Sequence, residues 1–415
     1  MFTPILHRRC RAALSAIIIV IGWHCSSAIA AVPLSHSLNE QVVMLPINSA
    51  GEAVQLETTI FKPPGAGPFP LLLMNHGKSL GDPRRQQRDR FTALSREFVR
   101  RGYAVVVPMR KGFSKSSGSY REYGCDMTNN GQQQANDLQG ALEYLVTKSW
   151  VDKSHILIGG QSYGGLATVA FGTRNFPGVR GLLNFAGGLR IDGGDCQWQA
   201  ALVNAFADYG RRVKVPSLWF YGVNDSHFDP ELAAQMFGAF IAGGGVGRLV
   251  TYGPFKKDAH VLSGSHDGVR IWWPETERFL QEVGMPSQVT VTLADEARPA
   301  GTDFAELKNV SAVPYLQEQG REAYRAFLGK SLPRAFAIAA SGAWSWAEDG
   351  DDPVSQVLSN CERNAAQPCS LYAVDESVVW PIAARSADNS IAAALPAGPV
   401  ISSGAVASTA GATGK

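Results

Sequence analysis

Six short segments rich in apolar residues divide the chain, and segments with apolar positions at helical spacing separate them. The runs lie at residues 69–74, 103–107, 156–160, 179–185, 215–221 and 248–252. Short apolar runs bounded by turn residues are typical of parallel strands buried on both faces. Helical spacing is clearest at residues 84–101, 132–146, 164–174 and 274–283, and residues 42–63 read as edge strands. Strands alternating with helices predict an α/β fold with a mostly parallel central sheet, covered by helices on both faces.

The run at residues 156–160 ends in the sequence Gly160-Gln161-Ser162-Tyr163-Gly164. A G-x-S-x-G turn between a strand and a helix lifts its serine hydroxyl above the edge of the sheet. The turn is strained, so its neighbours must be small, and the helix that follows points free N–H groups at the same place. The motif also occurs by chance as a glycine-rich turn with a non-catalytic serine. Residues at the other strand ends therefore decide whether Ser162 is predicted to be a nucleophile.

Polar residues that a nucleophilic serine needs follow two other predicted strands. Asp225 follows the run at residues 215–221, where an ordinary turn aspartate is the alternative. His260 and His266 both follow the last run, and His260 is favoured because it lies nearer the strand end. Sites in open α/β sheets lie at the carboxyl ends of the strands. The sequence therefore predicts Ser162 as nucleophile, His260 as base and Asp225 as the acid that orients it.

The remaining histidines are excluded by their positions in the chain. They are His7 and His24 in the leader, His36 before the fold, His155 at the far end of the elbow strand, His76 in the first strand-end turn, and His227 in the loop of Asp225 itself.

Negative charge that develops on a substrate oxygen needs two backbone N–H donors. Tyr163, next after the serine, is expected to supply one of them. The turn after residues 69–74 is expected to supply the other, from Gly77 or Lys78.

Five segments in this order resemble the α/β-hydrolase superfamily, and within it secreted dienelactone hydrolase-type and prolyl oligopeptidase-type serine hydrolases. The segments are NHG at 75–77, RKGFSKSSG at 110–118, GQSYGG at 160–165, YGVND at 221–225 and DAH at 258–260. The resemblance covers residues 42–284 and implies an α/β-hydrolase fold with the triad order Ser, Asp, His. Arg110 follows Met109 where the family loop often begins with Asp, and no glycine precedes His260. Dienelactone hydrolases proper use a cysteine nucleophile, so that activity is not carried over to Ser162.

The first thirty residues have the pattern of a secretory signal peptide. Arg8, Arg9 and Arg11 precede an apolar core at residues 12–23, and Ala28-Ile29-Ala30 is a small-x-small cleavage site. We expect cleavage after Ala30 and a periplasmic or secreted protein; an uncleaved anchor is the alternative. No later segment is long enough to cross a membrane. With a formal net charge of +2, the chain lacks the strong positive potential that nucleic-acid binding needs.

Four cysteines follow the predicted signal peptide, and an even number in an exported chain predicts two disulfides. Cys125 and Cys196 lie in loops that rise from the same edge of the sheet, so we expect them to be bonded, with two buried free thiols as the alternative. Cys361 and Cys369 are expected to close a short loop. Their spacing matches no metal motif, and we expect neither a metal nor a cofactor.

The alternation of strands and helices stops after residue 284. The expected division is a signal peptide at 1–30, a catalytic domain at 31–284, a linker at 285–310, a small disulfide-paired α+β module at 311–382, and a disordered tail rich in Ala, Gly and Ser at 383–415. Within the module we expect helices at residues 313–328 and from Asp352 to about 360, strands at 334–340 and 371–379, and a turn at 341–346. The module resembles a small cysteine-paired unit seen in bacterial exported proteins.

These features predict an exported serine hydrolase that cleaves carboxylic esters through an acyl-enzyme. The expected substrate is a small-molecule ester, or a short peptide if the protein is a peptidase of the prolyl oligopeptidase type. A non-catalytic binding protein on a hydrolase scaffold is a further alternative, with recognition by the C-terminal module. Tyr163, Phe113 and Trp198 are candidates for lining a pocket, although core packing is the commoner use of such aromatic residues.

Overall fold

The computed structural model describes residues 34–193, 195–294, 299–348 and 352–381. The predicted signal peptide at 1–30 and the predicted tail at 383–415 lie outside the described residues. None of the helices within the described part is both long and apolar enough to cross a bilayer.

An eight-stranded sheet forms the larger part of the molecule. Its strands are β1 (Gln41–Ser49), β2 (Glu52–Phe61), β3 (Phe69–Asn75), β4 (Ala104–Pro108), β5 (Val151–Gln161), β6 (Val179–Phe185), β7 (Ser217–Gly222) and β8 (Gly247–Tyr252). They are ordered β1-β2-β4-β3-β5-β6-β7-β8. The β1–β2 and β2–β4 pairs are antiparallel and the others are parallel. The predicted α/β-hydrolase fold with its mostly parallel sheet is confirmed.

Within the described residues, six α-helices accompany this sheet. They are α1 (Thr92–Val99), α2 (Met127–Leu145), α3 (Tyr163–Gly172), α4 (Trp198–Gly210), α5 (Pro230–Ala242) and α6 (Val269–Glu282). Side chains of α2, α3, α4 and α5 form one apolar core with one face of the sheet. Side chains of α1 and α6 form a second core with the opposite face. Strands β3 and β4 are therefore buried on both sides, which explains their apolar sequences.

The starts of three helices differ from those expected. The helix predicted at 132–146 begins at Met127, because Asp126 caps it by accepting from the Asn129 amide. The helix predicted at 84–101 begins only at Thr92, because Arg88 and Arg90 form ion pairs with the buried Glu40, and Phe91 takes a left-handed conformation with φ 47°. The helix predicted from Pro274 begins at Val269 and contains the proline. Trp272, fully buried against Phe98, supplies apolar packing that offsets the missing proline N–H.

A four-stranded antiparallel sheet follows the large one. Its strands are β9 (Arg334–Ala339), β10 (Trp344–Glu348), β11 (Cys369–Val374) and β12 (Ser377–Val378), ordered β10-β9-β11-β12, and its helices are α7 (Glu318–Phe327) and α8 (Pro353–Ala365). The turn expected at 341–346 is shorter than predicted. Gly342 turns the chain with φ 85°, and Trp344 already pairs with Ile338 in a strand.

The ends of the other C-terminal elements differ in smaller ways. The strand expected at 371–379 divides at Asp375, which has φ 54°. Asp352 caps α8 as expected, accepting a hydrogen bond from the Ser355 amide. The helix expected at 313–328 is an α-helix only from Glu318.

The C-terminal unit contacts two loops of the large sheet, one after β3 and one after β8. Gln87 Nε2 donates to Ser359 Oγ at 2.7 Å, and Arg90 forms an ion pair with Asp352. On the other loop, Lys257 Nζ lies 2.9 Å from Glu348 Oε2. Glu348 also accepts from the Ser331 amide at 2.9 Å. The boundaries of the predicted domains themselves remain predictions.

Candidate active site

Ser162 lies in the turn between β5 and α3 and has φ 56° and ψ −124°. Non-glycine residues rarely adopt this conformation, and it persists only where the surroundings enforce it. A Cβ atom at Gly160 would lie 2.2 Å from the Gly164 carbonyl oxygen, and one at Gly164 would lie 2.2 Å from the Asn75 carbonyl oxygen. The two glycines of the G-x-S-x-G sequence are thus required by backbone contact, and the turn has the strained geometry that the sequence predicts.

Asp225 and His260 approach each other from the loops after β7 and β8. His260 Nδ1 lies 3.2 Å from Asp225 Oδ1 and 3.1 Å from Oδ2. The Asp225 side chain is fully buried, and its Oδ1 also accepts from the amides of His227 and Phe228. His266 is exposed, so the structure brings His260 and not His266 to the aspartate.

The loop that carries His260 is tied to the residue before the serine. Gln161 Nε2 donates to the His260 carbonyl oxygen at 3.1 Å. Within the described residues, Ser162 Oγ makes no hydrogen bond to the imidazole. Nucleophile–base hydrogen bonds often form only when substrate binds, so the lack of this bond here does not exclude His260 as the base of Ser162.

The turn after β3 lies directly against Ser162. A Cβ atom at Gly77 would lie 3.2 Å from Ser162 Cβ and 2.6 Å from Gln161 Oε1. Among the described residues, none accepts a hydrogen bond from the amide of Gly77 or Lys78. The Tyr163 amide belongs to the first turn of α3, where N–H groups lack helical partners. Of the candidate donors, Tyr163 follows the serine directly and Gly77 lies against it, so the roles of these amides and of Lys78 stay predictions.

Sequence reasoning missed the buried polar network behind this turn. His76 is fully buried; its Nε2 accepts from the Arg110 amide at 2.9 Å, so its Nδ1 carries the hydrogen and donates to the Gly77 carbonyl oxygen at 2.6 Å. Burial, and then the charge of Arg110, lower the pKa of His76 well below 6.5. Arg110 Nη1 donates to the His76 carbonyl oxygen at 2.6 Å, and its Nε donates to Gln134. Arg110 stands where the sequence departs from the family loop, and this departure is the sequence feature that could have predicted the network.

A second histidine, His227, stacks on His260. The ring centroids are 4.2 Å apart, with 21° between the ring planes. Partial burial, and then the nearby His260, lower the pKa of His227. From its position in the loop of Asp225, His227 is not expected to be the base. The contact of His227 with His260 joins two loops, at residues 33 positions apart, and no local sequence pattern predicts it.

Both expected disulfides are present, between Cys125 and Cys196 and between Cys361 and Cys369. The first joins the loop after β4 to the loop after β6, beside the rim of the site. Phe113 and Tyr163 are almost fully buried, so they serve packing, as favoured from the sequence. Trp198 is half-buried, with its ring 6.2 Å from that of Phe228.

Comparison with known proteins gives a family match for part of the chain. The profile of the prolyl oligopeptidase family matches residues 90–177, which include Ser162. The quorum-quenching protein AidA of Acinetobacter baumannii is 32% identical over 120 residues, a stretch that covers 28% of this chain and 36% of the relative. The chain thus matches about a third of that protein's length.

Two solved structures are similar to part of this chain at low identity. A proposed dienelactone hydrolase of Klebsiella pneumoniae is 18% identical with a TM-score of 0.43, covering 59% of this chain and 98% of its own. A puromycin-hydrolyzing peptidase of Mycobacterium tuberculosis is 19% identical with a TM-score of 0.44, covering 62% of this chain and 42% of its own. The strand order and the strained serine turn make this chain an α/β-hydrolase by fold, and its residues 90–177 match the prolyl oligopeptidase family.

Proposed function

We propose that this protein is a serine hydrolase in which Ser162 is the nucleophile, His260 the general base and Asp225 the acid that orients the imidazole. The observation that supports this most strongly is the contact between His260 Nδ1 and both carboxylate oxygens of Asp225, at 3.2 and 3.1 Å. A histidine oriented by a buried carboxylate and tied by Gln161 to the strained serine turn has the arrangement of a catalytic triad.

The proposed reaction begins when Ser162 Oγ attacks the carbonyl carbon of the substrate and His260 Nε2 takes the hydroxyl proton. Asp225 accepts a hydrogen bond from Nδ1–H and stabilises the imidazolium that forms. The amides of Tyr163 and of Gly77 or Lys78 donate to the carbonyl oxygen as it becomes negative. Breakdown of this intermediate returns the proton from the imidazolium to the leaving group and leaves an acyl-enzyme. Water then repeats the sequence, releasing the carboxylic acid and restoring Ser162.

A small carboxylic ester is the substrate class that we propose first, because an alcohol leaves a tetrahedral intermediate more readily than an amine. The prolyl oligopeptidase match at residues 90–177 favours a short peptide as the second class. Neither class needs a cofactor for the steps above.

Labelling of the purified protein with a fluorophosphonate probe tests the proposal. We expect covalent labelling of the wild-type protein on Ser162 and none of the Ser162→Ala variant. Asp225→Asn should lower kcat by about 10⁴, as expected when the imidazole loses its orienting carboxylate. A folded wild-type protein that remains unlabelled would instead favour the non-catalytic binding protein.

Turnover of p-nitrophenyl esters and of aminoacyl p-nitroanilides by the same preparation decides between the two substrate classes. We expect ester hydrolysis to dominate at equal substrate concentration. A larger kcat/KM for the anilides would assign the protein to the peptidases.

Export is part of the same proposal. The bonds Cys125–Cys196 and Cys361–Cys369 fit an oxidising compartment. Mass spectrometry of the protein isolated from the periplasm or medium should find an amino terminus at Ala31. A chain that retains residues 1–30 would contradict cleavage.

A further inference from the structure

The proposed mechanism leaves His227 without a role, although its ring lies against the proposed base. The two imidazole rings are 4.2 Å apart. Asp225, His227 and His260 each offer a ligand atom, and these three atoms lie within 4.8 Å of one another. Two imidazoles and one carboxylate are a donor set that suits zinc, leaving one coordination position for water.

The geometry points to a zinc-binding site formed by Asp225, His227 and His260, and we propose that Zn²⁺ bound there inhibits the enzyme by engaging the side chains of the triad. The inhibition rests on the proposed function. The binding of the ion does not, because Ser162 takes no part in it.

The surroundings of His227 support a ligand role. Ser226 Oγ lies 2.6 Å from Asp258 Oδ2 and 2.9 Å from His227 Nδ1. A carboxylate only accepts, so the Ser226 hydroxyl donates to Asp258 and accepts from the Nδ1–H of His227. This arrangement leaves the lone pair of His227 on Nε2. Metal-binding histidines generally donate their other ring N–H to such a partner, which fixes the tautomer and the ring orientation.

The backbone of the same loop holds the ligands close together. Asp225 Oδ1 accepts from the His227 amide at 2.8 Å and from the Phe228 amide at 3.0 Å. The Phe228 ring lies 6.1 Å from that of His227 and 5.7 Å from that of His260. The loop therefore brings His227 back over the aspartate, and little movement is needed to close three ligands around one ion.

The consequence for the triad follows from the lone pairs. Coordination through His260 Nδ1 releases the proton of that nitrogen to solvent and replaces the hydrogen bond to Asp225 with two bonds to zinc. Coordination through Nε2 occupies the lone pair that accepts the proton of Ser162. In either case the imidazole cannot act as the base, and removal of zinc by a chelator restores it.

Calorimetric titration of ZnCl₂ into metal-free full-length protein tests the site directly. The Ser162→Ala variant should bind one Zn²⁺ at this site with wild-type affinity, because it keeps all three ligands. His227→Asn should weaken that binding by about 100-fold, since loss of outer-shell partners alone costs 10–100-fold. His155→Asn is the matched control, because His155 pairs with Asp152 at 2.7 Å on the surface, far along β5 from the triad. We expect its zinc affinity to equal that of the wild type.

Fluorophosphonate labelling with and without ZnCl₂ then tests inhibition. We expect zinc to suppress labelling of the wild type and of His155→Asn, and EDTA to reverse that suppression. Zinc should not change the labelling that His227→Asn retains. Equal zinc affinity of the wild type and His227→Asn would overturn the site. If zinc binding depends on His227 but the fluorophosphonate probe does not label the protein, the zinc site stands and the proposed function is refuted. Failure of the zinc site and failure of the proposed function are therefore distinguishable.

Discussion

At the scale of single residues, the turn that borders Ser162 depends on charged and polar side chains that water does not reach. Arg110 is fully buried, and burial lowers its pKa to about 10. Its guanidinium carbon lies 5.5 Å from the Phe113 ring centroid and 5.4 Å from that of Tyr163. Because it also bonds the His76 carbonyl oxygen, Arg110 fixes the backbone from which the Gly77 amide projects.

The lowered pKa of His76 makes the stability of the protein depend on pH. His76 remains neutral when folded, whereas the unfolded chain binds a proton below pH 6.5, so unfolding takes up protons as the pH falls. We expect the free energy of unfolding to decrease by up to about 1.4 kcal/mol for each pH unit below that value. Burial raises the pKa of the neighbouring Asp89 to about 6, which acts in the opposite direction, so urea titrations between pH 7 and pH 5 measure the sum of the two effects.

His76→Gln should have a shallower slope over the same range, because glutamine keeps a donor and an acceptor but does not titrate. The exposed His266→Gln is the matched control and should retain the slope of the wild type. Parallel curves for His76→Gln and the wild type would contradict the assignment.

At the scale of elements, the crossing of α3 over the ends of β3 and β5 depends on glycine. A Cβ atom at Gly164 would lie 2.2 Å from the Asn75 carbonyl oxygen and 2.5 Å from that of His76. Both neighbours are backbone atoms of the turn that borders Ser162, so neither can move without displacing the proposed oxyanion donors.

Gly164→Ala should therefore lower the melting temperature and abolish labelling of Ser162. Gly238→Ala is the matched control, because Gly238 lies within α5 and a Cβ atom there would meet nothing within 4 Å. The control should raise stability by about 0.5–1 kcal/mol, the usual gain from replacing a helical glycine. Differential scanning calorimetry measures the expected loss of stability in Gly164→Ala and the expected gain in Gly238→Ala. A Gly164→Ala protein as stable as the wild type would refute the clash.

The sheet could be predicted from the sequence because strands buried on both faces are apolar, as residues 69–74 and 103–107 are. The edges of the helices could not, because distant side chains set them: Glu40 holds Arg88 and Arg90 outside α1. Ser162, Asp225 and His260 could be proposed because each follows a predicted strand. The stacking of His227 on His260 depends on the conformations of two loops, and so it left no pattern in the sequence.

At the scale of the whole molecule, the C-terminal unit touches the loops on either side of the proposed site. Lys257, three residues before His260, pairs with Glu348 at 2.9 Å, and Lys330 approaches the same carboxylate at 3.0 Å. In the loop after β3, Gln87 donates a hydrogen bond to Ser359. The preceding residue, Gln86, donates from Nε2 to the Gly77 carbonyl oxygen at 3.3 Å. The small unit therefore contacts both the loop that carries His260 and the segment that follows the turn bordering Ser162.

Glu348→Gln should loosen this contact and increase amide hydrogen exchange in residues 254–262. Glu318→Gln is the matched control, because Glu318 pairs only with Arg321 and Arg325 of its own helix among the described residues. Its exchange in the same loop should match the wild type. Unchanged exchange in Glu348→Gln would show that the loop holds itself in place.

The bond between Cys125 and Cys196 spans 71 positions and encloses β5, the serine turn, α3 and β6 in one covalent ring. A protease that nicks the chain once inside this ring produces two fragments that stay joined through sulfur. On a denaturing gel such a nicked protein should migrate as one band until a thiol is added and as two bands afterwards. A protein built in this way keeps both fragments attached after a cut beside its strained serine turn.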